Sequence, residues 1–127
     1  HVCMGLVAGD GGCVIWPQLI GFNKAKELLM LGDMLKAHEA DKYGLLNHLV
    51  PPEELDQKTN EIADRLANGA TKSIRFTKIT ANIPLRRIAA ELMDASLPYE
   101  ALTNLTADHQ EAVNAFIEKR AANFTGN

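Results

Sequence analysis

No dense run of lysine or arginine occurs in this chain, and its 13 basic residues are outnumbered by 16 acidic ones, giving a formal net charge of -3. That balance offers a phosphate backbone neither a global nor a local attraction, so no nucleic-acid partner is expected. Long hydrophobic runs are missing as well. The longest, Cys13 to Ile20, is interrupted by Pro17 and falls far short of the roughly 20 residues a membrane span needs. Cysteine is scarce: Cys3 and Cys13 have neither the spacing of a redox pair nor that of a zinc knuckle, and two in 127 residues are no disulfide framework. A reducing compartment is expected, the cytoplasm or, in a eukaryote, the mitochondrial matrix. No signal or transit segment is visible, although a chain that begins without Met would hide one.

What remains has the composition of a globular unit, 46% hydrophobic and 23% charged, about the size of one domain. Neither a repeat nor a low-complexity linker divides it, so residues 1–127 are read as a single unit. The N-terminal residues look like the end of a strand opening into a glycine-rich loop, Gly9-Asp10-Gly11-Gly12. Val14, Ile15, Leu19 and Ile20 form a short apolar segment ended by Gly21. Asn23 is expected to cap a helix that stops at Gly32, and a short helix covers Ala37 to Tyr43 and stops at Gly44. Leu45 to Val50 is brief and apolar enough for a small strand. Pro52 with Glu53 and Glu54 opens a helix whose buried face carries Leu55, Ile62 and Leu66. Thr71 is placed as the cap of a helix through Asn82. Pro84 starts another, with Leu85, Ile88, Ala89, Leu92 and Ser96 on one side and Pro98 at its end. The last helix runs from about Ala107, capped by Thr106, with Val113, Phe116 and Ile117 on one stripe.

Asp10 is the leading candidate for chemistry. A carboxylate on a rigid loop among apolar residues can be desolvated into the range useful for proton transfer; the same spacing also fits a turn aspartate accepting backbone N–H bonds. The loop is no phosphate cradle, since it lacks the Gly-Lys-Ser/Thr ending and carries a negative charge where an anion would sit. His1, His38, His48 and His109 form no metal-ligand spacing, and no metal is expected. Cys3 and Cys13 read as small buried hydrophobes and Trp16 as a core or subunit anchor. Phe116-Ile117-Glu118-Lys119-Arg120 fits either a plain amphipathic terminal helix or one that reaches an anionic ligand.

Four blocks together resemble the C-terminal half of the enoyl-CoA hydratase/isomerase (crotonase) family: Met4-Gly5-Leu6-Val7-Ala8-Gly9-Asp10-Gly11-Gly12, Pro17-Gln18-Leu19-Ile20-Gly21, Ala40-Asp41-Lys42-Tyr43-Gly44-Leu45-Leu46-Asn47 and Ala115-Phe116-Ile117-Glu118-Lys119-Arg120. The resemblance implies an α+β, mostly α fold: residues 1–50 end a crotonase-like ββα core and residues 51–127 form the C-terminal helical region that builds a trimer or hexamer. It implies chemistry on an acyl-CoA thioester through an enolate, with coenzyme A as part of the substrate and no tightly bound cofactor. The family's oxyanion hole and first hydratase carboxylate would lie upstream of His1, so the 127 residues alone are expected to be an inactive fragment. Counted back without a gap, His1 occupies the place of the second hydratase glutamate, which puts a two-glutamate hydration in doubt. Asp10 matches the aspartate of the naphthoyl-CoA synthase loop and is the implied acid/base. His1, Leu6, Phe116 and Lys119 are the implied substrate contacts, the last two at the adenine and phosphate end of CoA. The alternative is a non-catalytic trimerisation or CoA-ester-binding module.

Overall fold

The computed structural model describes residues 1–127 and contains seven α-helices: α1 Gly12–Ile20, α2 Phe22–Leu31, α3 Ala37–Tyr43, α4 Leu55–Ala67, α5 Thr71–Ala81, α6 Ile83–Thr103 and α7 Ala107–Glu118. Turns of 3₁₀ helix at Val2–Met4 and Pro52–Glu54 are the other regular elements. The predominantly helical expectation therefore holds, and neither anticipated strand is present. The N-terminal residues coil instead of extending, with Met4 N–H donating to His1 O at 2.7 Å and Gly5 closing the turn at φ 65°. Residues 45–50 remain irregular. A strand needs a ladder partner for its backbone groups, and no other strand exists in these residues to supply one.

Glycine sets the helix ends as the sequence indicates: Gly32 stops α2 at φ 72° and Gly44 stops α3 at φ 82°, both in the left-handed region that a side chain resists. Thr106 caps α7 by accepting from His109 N–H at 3.1 Å. Other boundaries differ. The apolar segment 14–20 is part of helix α1 with Pro17 inside it. Gly21 and Ala70, rather than Asn23 and Thr71, stand at the caps of α2 and α5. Pro98 does not end α6, which runs five residues further, to Thr103. Proline removes one N–H from the ladder, but the turn beyond it is reinforced: the Thr103 hydroxyl and the Asn104 amide both donate to Glu100 O, at 2.8 and 2.9 Å.

Helix α1 packs on α2 and on α6, the Val2–Met4 turn packs on α7 and α2, and α5 links α4 to α6. The interior is made of small side chains, Ala8, Ala25, Ala112 and Ala115 with Val14, which lets helices approach closely but buries little apolar area. Large apolar groups lie outside: Phe22, Met30, Phe76 and Leu105 are exposed, as are Leu55 and Leu66 on the face of α4 expected to be buried. Cys3 is exposed too, its thiol donating to Gly32 O at 3.3 Å. No helix is long and apolar enough to cross a membrane.

Candidate functional site

The glycine loop is fastened to the far end of the chain. The Ser96 hydroxyl on α6 donates to Gly9 O at 2.9 Å in a buried hydrogen bond, and Val7 N–H donates to the Thr103 hydroxyl at 3.3 Å. His109 Nδ1–H donates to Met4 O at 2.7 Å from the first turn of α7, so this histidine is structural. Gly9 is required by the approach: a Cβ there would overlap Ser96 O and lie 2.9 Å from Glu100 Oε2. Gly11, at φ 147°, then takes a backbone conformation that side chains disfavour and leads into α1.

Asp10 sits between these two glycines, and its carboxylate Oδ1 is 3.3 Å from His1 Nε2. Its side chain is 58% exposed, so the desolvation expected of it is not provided by these residues. The Asp10 charge is felt at α1: burial first, and the nearby aspartate second, push the Cys13 thiol up, away from the thiolate form that a nucleophile needs. Glu100, on α6, completes a cluster with His1 and Asp10 in which one potential ligand atom from each residue lies within 4.8 Å of the others. The fold, and not the spacing along the chain, assembles this group.

The other implied contacts lie elsewhere. Leu6 lines a cavity of about 350 Å³ with Val7, Thr103, Thr106 and Phe124. His1 also lines a smaller one of about 280 Å³ with Ala8, Trp16, Leu28 and Leu29. Phe116 is 75% exposed on α7. Lys119 ends that helix in the left-handed region at φ 55° and has no carboxylate partner. Neither lines either cavity. Arg120, in contrast, is committed: its guanidinium donates to Glu111 at 2.5 and 2.9 Å and to Glu118 at 2.5 Å. That bidentate contact, with Asn123 N–H, holds the Glu111 carboxyl down to about 2.

Residues 1–127 match the family model for enoyl-CoA hydratase/isomerase along their whole length. The chain belongs to this family. It is 36% identical over 124 residues to a crotonyl-CoA hydratase of Syntrophomonas wolfei, covering 98% of this chain and 48% of that protein. It is 30% identical over 123 residues to the 1,2-epoxyphenylacetyl-CoA isomerase of Escherichia coli, covering 97% and 47%. An enoyl-CoA hydratase structure from Mycobacterium avium subsp. paratuberculosis shares its fold at a TM-score of 0.91 and 22% identity, covering 98% of this chain and 50% of that one. The chain thus spans about half the length of the curated relatives it matches, and its helices correspond to the C-terminal helical region of the crotonase fold.

Within this family region, Ser96 stands out in the sequence only as one member of a helix face, and Glu100 and Thr103 do not stand out at all. Their signal is a polar stripe at positions 96, 100 and 103, spaced to fall on one side of a helix. Proline at 98 obscures it by suggesting that the helix stops there. The C-terminal clasp is equally hidden: Asp108 accepts from Thr125 N–H at 2.7 Å and Gly126 N–H at 2.8 Å, folding the tail back on α7.

Proposed function

We propose that this protein acts on an acyl-CoA thioester through an enolate, with Asp10 as the acid/base group that moves the proton. The observation that carries the reading is the His1–Asp10 contact at 3.3 Å on a loop pinned to α6. A carboxylate held at a fixed point with an imidazole beside it is the minimum equipment for general acid/base work. The two relatives, a crotonyl-CoA hydratase and a 1,2-epoxyphenylacetyl-CoA isomerase, support a CoA-ester substrate and a lyase or isomerase reaction. Lys119, free of any carboxylate, is available to a phosphate, with Phe116 exposed one turn earlier as an apolar contact. No tightly bound cofactor is required. The exposed apolar faces of the helices support a trimer or hexamer, and the two free cysteines support a reducing compartment such as the cytoplasm, where fatty-acid metabolism would use such an enzyme.

In the full-length protein, Asp10→Asn is expected to cut turnover of an enoyl-CoA by about a hundredfold or more while leaving acyl-CoA binding in place. Unchanged turnover would remove Asp10 from the mechanism. Binding without turnover in the unaltered protein would favour the CoA-ester-binding module.

A further inference from the structure

We propose that Glu100 is the positioning residue of the His1–Asp10 pair, a second carboxylate that faces the same imidazole from α6. The key observation is an orphan: Glu100 Oε2 is fully shielded from solvent and has no hydrogen-bond partner. A carboxylate oxygen left in that state costs free energy unless a donor reaches it. An imidazolium offers two N–H groups, and His1 is the donor-bearing side chain of the cluster. Its Nε2 lies 3.3 Å from Asp10, and a Glu100 oxygen lies within 4.8 Å of the ligand atoms of both partners.

The backbone is arranged to allow this. Gly9 leaves vacant the space a side chain would take, and Glu100 Oε2 occupies the edge of it, 2.9 Å from where a Cβ would stand. Four residues earlier on the same helix, Ser96 fixes the Gly9 carbonyl, so one stretch of α6 both pins the loop and delivers the carboxylate. Glu100 thereby acts through His1: a second negative charge within 4.8 Å favours the protonated ring that pairs with Asp10. Its consequence for turnover rests on the reading of Asp10 as the acid/base group, whereas the coupling itself does not.

Nuclear magnetic resonance titration of the His1 ring in the full-length protein tests the coupling directly. At 4.8 Å, loss of one negative charge shifts a neighbour's midpoint by about 0.6 pH unit even with the dielectric constant of water. Glu100→Gln is therefore expected to lower the His1 midpoint by about that much or more at low ionic strength, and Glu100→Asp to retain most of it. The other titratable groups facing the cluster, Asp33 beside His1 in the smaller cavity and Cys13 beside Asp10, are unaltered by the change, so the shift reports Glu100. An unshifted midpoint in Glu100→Gln overturns the proposal. Should that variant fail to fold, the Glu100 carboxyl carbon of the unaltered protein must respond as His1 titrates, and silence there overturns it equally. Turnover of Asp10→Asn is read separately, so the acid/base assignment can fail while the coupling stands.

Discussion

The two ends of the chain and its middle are held by different means. The glycine loop, α6 and α7 are joined by side-chain hydrogen bonds that span 87 residues from Ser96 to Gly9, 96 from Thr103 to Val7 and 105 from His109 to Met4. Helices α4 and α5 have no such ties. The side-chain bonds within them are local, Lys58 to Glu61 and Thr59 to Leu55, and their apolar residues Leu55, Leu66, Phe76 and Ile79 face outward. The first region is specified by polar contacts, one buried and two half-buried. The second presents an exposed apolar surface and is joined to the rest chiefly by the packing of α5 on α6.

The strongest way to break this contrast is Gly9→Ala, whose methyl group would overlap the Ser96 carbonyl. With both neighbours fixed, the cost is expected to reach about 3 kcal/mol, visible as a lower urea midpoint. Next is Ser96→Ala, which removes the buried donor to Gly9 O and is expected to cost about 1–3 kcal/mol in the same measurement. A subtler effect lies at Glu111, which holds Arg120 and Asn123 N–H at the end of α7. The folded Glu111 carboxyl titrates about 2, below its ordinary value of 4.5, so its contribution is complete above pH 4.5 and is lost as the pH falls toward 2. Hydrogen exchange at the Asn123 amide should accelerate across that window beyond the chain's intrinsic pH dependence, and Glu111→Gln should abolish the extra response. Phe76→Ser, on the exposed face of α5, is expected to change the stability of the 127 residues by less than about 0.5 kcal/mol, whereas a partner covering that face would make the same substitution costly.

How far the sequence reveals all this depends on the range of the interaction. Gly32 and Gly44 mark helix ends because the left-handed backbone is a property of the residue itself, and Thr106 marks a start because its hydroxyl reaches only three residues ahead. Pro98 misleads because its missing N–H weakens a helix that other contacts sustain. Residues 45–50 mislead because an apolar run says nothing about whether a partner strand exists. The site divides in the same way. Asp10 is legible from its setting among glycines and His1 from the family register, but Glu100 stands 90 positions beyond Asp10 and becomes its neighbour only after α6 has folded onto the loop.

Lys119 offers a last inference of another kind. A lysine in a left-handed backbone conformation carries about 1–2 kcal/mol of strain that glycine would relieve at once. The rest of α7 and the clasp must hold that turn against the preference of its own residue. A cation is thus displayed at a bend of the kind that glycine fills elsewhere in the chain, which makes Lys119 a trade of local comfort for a charge in a fixed place.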